Sequence, residues 1–302
     1  MTENQADRAT RAAVAVAAEH GLGVTRPVVL RDASNVLVRL DPLPVVARVG
    51  GLMAALRDGT GQWLARDVAV LAHLDGRDAT RPCPPPLPPG PHHRDGLVLT
   101  FAALEHPDPA ATLDPGEVGR SLRRLHANLR DLPVPLPVLG LVEEGRGWLR
   151  GLTAGCGLTD GQLRRLSDRY DEVRAAITDA SFASQPLHGD AHAANIMSTP
   201  RGLVWTDFED VASGPPLWDL ACLAARARAL GTGERGYGAD WADAAVRAYG
   251  ADPRDPLLDL LVTARTLAVA AWGLAVSDAA PRVRAASLAR AEWILANSTG
   301  RM

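Results

Sequence analysis

The stretch PLHGDAHAANIMSTPRGLVWTDFEDV, residues 186–211, crowds two histidines, four carboxylates and an asparagine between apolar runs. Three readings compete for it. His188, Asp190 and His192 alternate, so on a strand they would share one face and could chelate zinc for hydrolysis. Gly189 and the run Ala191, Ala193, Ala194 make a poor strand, however. The second reading is a polar turn with capping residues. The third is phosphoryl transfer, which needs a carboxylate to orient and deprotonate an acceptor hydroxyl and an oxygen cage for Mg²⁺. Asp190 and Asn195 would supply a base and a neutral amide oxygen from one loop. Asp207 follows the strand-like GLVWT and can bring a carboxylate to the same metal.

The rest of the chain narrows the choice. With 302 residues, 47% hydrophobic and 22% charged, it is an ordinary globular composition, enough for one large domain or two modest ones. A net charge of −3 gives no sign of a nucleic-acid partner, none is expected, and the charge weakly suits a cationic ligand. All 32 basic residues are arginine. Without lysine there is no Walker A phosphate loop and no Schiff-base chemistry. Cys83, Cys156 and Cys222 are odd in number, far apart and without C-x-x-C spacing, as expected of reduced thiols in a cytoplasmic protein. No signal-peptide core opens the chain. The run PLLDLLVTARTLAVAAWGLAVS carries Asp259 and Arg265, so it reads as a buried helix and no membrane partner is expected.

Ahead of the quoted stretch, an opening helix is predicted over 7–20. Three Val/Leu-rich strands follow, PVVLRD, NVLVRL and PVVARVG, and then a helix with Leu64, Val68, Leu71 and Leu74 on one face. The proline-dense 81–96 reads as a stiff surface loop, or else as a polyproline ligand. It precedes a strand, LVLTF. Long helices come next. One starts at Asp114 (N-cap), Pro115 and Glu117, and another carries Leu163, Leu166, Tyr170, Val173 and Ile177. Further helices are predicted near 216–230, 239–249, 256–278 and 282–297. The only G-x-G-x-x-G, residues 231–236, follows a helix rather than a strand, so it reads as a helix-ending loop.

The motif His188-Gly189-Asp190-x-x-x-x-Asn195, followed by Thr206-Asp207-Phe208-Glu209, resembles the aminoglycoside phosphotransferase family. The resemblance extends to GPPLWDLACL, with Asp219 and Leu220, and back to Leu125-His126. It implies an α+β, bilobal protein-kinase-like fold: a small antiparallel-sheet nucleotide-binding lobe over 1–104 and a larger, mainly helical catalytic lobe over 105–302. By resemblance, Asp190 is the catalytic base, Asn195 and Asp207 hold Mg²⁺, and His188 and Asp219 support the loop. Ser34 and Asn35 lie where a turn covers the phosphates, and backbone near Phe101 and Ala103 would meet the base of ATP or GTP.

One departure stands out. The third strand carries Arg48 where the family has lysine, and the next helix carries Asp67 where it has glutamate. A longer cation and a shorter acid predict a length-compensated, bidentate Arg48–Asp67 pair; the alternative is a weakened clamp in a silent nucleotide-binding protein. Substrate contacts are expected from Glu209, Asp240 and Asp243, with Asp255 and Asp259 beyond, because polycations want carboxylates. The expected function is phosphoryl transfer to a small-molecule hydroxyl, foremost an aminoglycoside. A macrolide, sugar or amino alcohol is the alternative acceptor, in a monomer or homodimer.

Overall fold

The computed structural model describes residues 4–51, 54, 56, 57 and 59–297. The chain divides into two compact units. Unit 1 comprises 1–111, 131–134 and 197–209; unit 2 comprises 112–130, 135–196 and 210–302. The division is therefore not a single cut near residue 104. The chain returns to unit 1 with the segment that carries Asp207.

Unit 1 opens with helix α1 (Gln5–Glu19), capped by Asn4, whose side chain accepts the Asp7 amide. Strands β1 (Arg26–Asp32), β2 (Asn35–Asp41) and β3 (Val45–Gly50) follow as an antiparallel meander, close to the predicted runs. Helix α2 (Thr60–Leu74), β4 (His92–Arg94) and β5 (Leu97–Ala103) complete the unit's main elements. The five strands are ordered β1-β2-β3-β5-β4. The short β4 falls within the proline-dense segment, where no strand was expected.

The period of two in these strands decides what faces what. Val36, Val38 and Leu40 of β2, Val45, Ala47 and Val49 of β3, and Leu99 and Phe101 of β5 pack with Ala9, Ala13, Val16 and Ala17 of α1 into one core. The intervening side chains point to the opposite face. There Leu37, Arg48 and Thr100 are cross-strand neighbours.

Unit 2 is mainly helical: α3 (Pro115–Leu129), α4 (Gly140–Arg150), α5 (Asp160–Asp179), α6 (Leu217–Leu230), α7 (Ala239–Tyr249), α8 (Pro256–Ala275) and α9 (Pro281–Asn297). The start of α3 is as expected, with Asp114 accepting the Glu117 amide at 2.7 Å. Helix α5 carries a full capping box between Thr159 and Gln162. Helix α8 is long and apolar enough to cross a membrane by composition, but 67% of that window is buried, packed among α4, α5, α6 and α9.

Helix α4 was missed. It contains Gly140, Gly145 and Gly147, a poor helix by propensity. Tertiary packing overrides propensity: a Cβ on Gly145 would lie 2.4 Å from the Tyr170 hydroxyl and 2.9 Å from the Ala268 Cα. Glycine lets α4 approach α5 and α8, and Tyr170 then donates to the Val142 carbonyl at 2.8 Å.

Two short strands frame the quoted stretch. β6 (Gln185–Leu187) pairs antiparallel with β9 (Ala212–Gly214) in unit 2. Between them run β7 (Ile196–Thr199) and β8 (Gly202–Trp205), a hairpin that enters unit 1 at Met197.

Candidate functional sites

In unit 1, a cavity of about 150 Å³ lies on the sheet face opposite α1. Its walls include Leu30, Leu37, Val46, Ala102, Leu104 and Met197, and Arg48, Asp67 and Asp207 also line it. An apolar slot bordered by a few convergent charged groups is the usual form of a small-ligand site.

Arg48 is the hub of the charged part. Its Nη1 lies 2.5 Å from Asp207 Oδ1 and 3.5 Å from Glu209 Oε2. Burial would depress this guanidinium, but the carboxylates of Asp207, Asp67 and Glu209 outweigh burial and hold it firmly protonated. Arg48 bonds Asp207 and Glu209 directly, and the charge of the expected partner Asp67 also acts on it. Asp67 Oδ1 accepts the Phe208 amide at 2.9 Å and so fixes the backbone beside Asp207, while Arg48 reaches the turn after β8.

Asn35 belongs to the same network. Its Nδ2 donates to Glu209 Oε2 at 2.6 Å, and its Oδ1 is buried without a partner. Ser34 lies beside it in the β1–β2 turn, where the Ala33 amide donates to the Asn35 carbonyl. Glu209 is 6% exposed and held by Asn35 and Arg48. Asp207 adopts a left-handed backbone (φ 73°), a conformation uncommon for a residue with a Cβ and frequent at functional sites.

The expected base-contacting residues separate. Phe101 sits in the α1 core, on the wrong face of β5, and its amide donates to the Pro89 carbonyl. Ala103 lines the cavity, but its amide donates to the Arg81 carbonyl.

In unit 2, the loop after β6 carries Asp190. Gly189 (φ 86°) makes the turn possible; a Cβ there would lie 1.8 Å from the Asp210 carbonyl oxygen. Fully buried Asp219, in the first turn of α6, accepts the amides of His188 (2.8 Å) and Gly189 (2.9 Å). His126 Nε2 lies 2.8 Å from the same carboxylate. Trp218 Nε1 donates to the Gly189 carbonyl at 2.8 Å. The fully buried His188 ring braces the loop from within, its Nδ1 accepting the Asp190 amide.

Asp190 itself has two basic neighbours. Arg265 of α8 donates to its Oδ1, and His192 Nε2 lies 3.4 Å from its Oδ2. Burial would raise this carboxyl, but Arg265 and then His192 outweigh burial and hold it well below the usual carboxylate range. His192 is raised in turn, with Asp190 overcoming burial. Asn195 donates from Nδ2 to the Asp190 carbonyl at 3.0 Å, which leaves Oδ1 as its accepting atom.

Arg265 is the functional residue that sequence reasoning missed. The signal was there: a lone arginine inside an apolar helix needs a buried counter-charge. The substrate acids are also differently placed. Asp243 and Asp259 bracket Arg228 at 3.1 and 2.6 Å, Asp255 caps α8, and Asp240 and Asp259 stand exposed. Trp241 is packed, donating to the Leu113 carbonyl and stacking on Tyr237.

The zinc reading fails on geometry: among the described residues, no three of His, Cys, Asp and Glu gather as ligands. Mg²⁺ fits better. A hard cation satisfied by phosphate oxygens and water needs only one or two protein oxygens, and Asn195 Oδ1 and the Asp207 carboxylate are of that kind.

Residues 31–261 match the model of the phosphotransferase enzyme family. The chain belongs to that family. Stress response kinase A of Salmonella choleraesuis is 33% identical over 110 residues, covering 35% of this chain and 33% of the relative, so the match spans a third of that protein. Choline kinase LicA from Streptococcus pneumoniae superposes with a TM-score of 0.67 at 13% identity over 94% of this chain and 96% of that one. The GDP complex of aminoglycoside 2'-phosphotransferase-IIIa gives 0.66 at 15% identity over 97% and 99%. The family member described here therefore has the α+β, protein-kinase-like fold that its sequence implied.

Proposed function

We propose that this protein transfers the γ-phosphoryl group of a nucleoside triphosphate, ATP or GTP, to a hydroxyl of a small molecule. The observation that carries this reading is Asp190: an ionised carboxylate on a loop pinned by Asp219, with the Asn195 amide oxygen from the same loop available to a hard cation. Family membership and the unit 1 cavity support it.

In this reading Asp190 orients the acceptor hydroxyl and takes its proton. Arg48 and the Asn35 turn hold the phosphates, and the cavity's apolar walls take the base. Asp207 in unit 1 and Asn195 in unit 2 each carry an oxygen of the kind that would hold Mg²⁺. When bound, the ion neutralises phosphate oxygens as charge develops on them. An aminoglycoside is one candidate acceptor: Asp240 is exposed, and the single charge of Arg228 offsets only one of Asp243 and Asp259.

The test is phosphate transfer from Mg²⁺-ATP and Mg²⁺-GTP to a panel of hydroxyl compounds, read by mass spectrometry. A gain of one phosphate, lost in Asp190→Asn, supports the reading. Nucleotide binding without transfer to any acceptor would favour a silent binding protein.

A further inference from the structure

A chain of short hydrogen bonds in unit 2 runs from the end of α7 to the turn that carries the base. Asp219 Oδ2 accepts the His188 amide, and His126 Nε2 lies at the same distance, 2.8 Å; Asp219 Oδ1 accepts the Gly189 amide at 2.9 Å. A carboxylate oxygen accepts, so the ring nitrogen facing it is the one that carries the proton. The other ring nitrogen, Nδ1, lies 2.8 Å from the Tyr249 hydroxyl. Burial, and then the charge of Asp219, push that phenol up to about 12, so Tyr249 keeps its proton and donates to Nδ1.

The sequence builds this contact by close packing. Tyr249 is the last residue of α7, and Gly250 (φ 105°) ends the helix just past it. A Cβ on Gly119 of α3 would lie 2.1 Å from the Ala245 carbonyl oxygen and 2.8 Å from the Tyr249 amide nitrogen. Glycine there lets α3 and α7 meet, and the His126 and Tyr249 rings pack edge to face with centroids 5.5 Å apart.

We propose that Tyr249 is a positioning residue for the base: through His126 Nδ1 it aims the Nε2 proton at Asp219, which holds the two amides that set Asp190. This rests on the phosphotransferase reading. No proton travels along the chain during turnover; each bond fixes the direction of the next. Accepting a bond at Nδ1 also makes the Nε2 proton a stronger donor. Placement matters because a base must lie within hydrogen-bond reach of the acceptor hydroxyl. An error of about 1 Å can cost about a hundredfold in rate.

The first variant is Tyr249→Phe, which keeps the ring and removes the hydroxyl. Its kcat should fall about three- to tenfold, the margin of one hydrogen bond, while acceptor KM and nucleotide affinity hold. His126→Gln keeps a side-chain donor for Asp219 but offers Tyr249 no ring nitrogen. In that background Tyr249→Phe should cost nothing further. Tyr170→Phe removes another buried phenol, the donor to the Val142 carbonyl, and should lower the melting temperature with kcat unchanged. An unchanged kcat in folded Tyr249→Phe, additive losses with His126→Gln, or an equal kcat loss in Tyr170→Phe overturns the proposal while phosphotransfer stands.

Nuclear magnetic resonance gives an arm that needs no acceptor. In the wild type, His126 should carry its proton on Nε2 and leave Nδ1 bare. In Tyr249→Phe the Nδ1 signal should move downfield, and the His188 and Gly189 amide protons upfield as their bonds to Asp219 weaken. A proton on Nδ1 in the wild type, or unmoved amides in the folded variant, overturns the proposal even where no acceptor turns over. Moved amides, with no transfer by the wild type to any acceptor, keep the chain of bonds and reject the phosphotransferase reading.

Discussion

Two buried arginine–aspartate pairs, Arg48–Asp207 in unit 1 and Arg265–Asp190 in unit 2, share the same chemistry in opposite surroundings. Around Arg48, Asp207, Asp67 and Glu209 leave negative charge in excess. Around Asp190, Arg265 is bonded on one oxygen and His192 lies beside the other, while the charges of Asp210 and Glu234 also act on Arg265. In the first cluster one guanidinium serves several carboxylates; in the second one carboxylate is shared by two basic side chains.

The largest effect should come from Asp190→Asn. Phosphate transfer should fall about 100- to 10,000-fold, the range for a lost general base, while nucleotide affinity measured by calorimetry holds. Loss of both together would break the separation of roles between the units. Next is Arg48→Met, which removes the buried cation that Asp207, Asp67 and Glu209 act on. Urea unfolding should show about 3–5 kcal/mol less stability, partly restored by Mg²⁺. An unchanged midpoint would break the claim that unit 1 has negative charge in excess.

A smaller effect concerns pH. His192 is raised in the folded chain by Asp190, so its contribution to stability is full below its unfolded value of about 6.5 and is lost as pH rises through the raised one. Urea midpoints of wild type and His192→Gln should therefore differ more at about pH 5.5 than at about pH 8.5. A gap that widens with pH would reverse the assigned sign. The smallest effect is expected from Arg228→Ala, whose partner Asp259 is largely exposed. About 1 kcal/mol or less should be lost; a cost near that of Arg48→Met would blur the contrast between surface and buried pairs.

Local rules made much of the fold legible. Alternation in β2 and β3 set their buried face, and Asp114-Pro115-Gly116-Glu117 announced α3. Where glycine served packing, as in α4, propensity misled. The candidate site was legible wherever its residues lie in one short motif: His188, Asp190, Asn195 and Asp207 all come from the quoted stretch. Partners brought from far along the chain were not. Arg265 meets Asp190 from α8, and Arg48 reaches Asp207 while Asp67 takes the Phe208 amide, because guanidinium reach and backbone demand are settled only in three dimensions.

Asp219 carries one more consequence. Its two oxygens hold the amides of His188 and Gly189, and the His126 ring, inside a fully buried pocket at the start of α6. Those two protons can trade with solvent deuterium only when that helix turn lifts away. The motif's first two residues should therefore rank among the slowest-exchanging loop positions in unit 2, moving on the timescale of helix opening rather than of loop fluctuation.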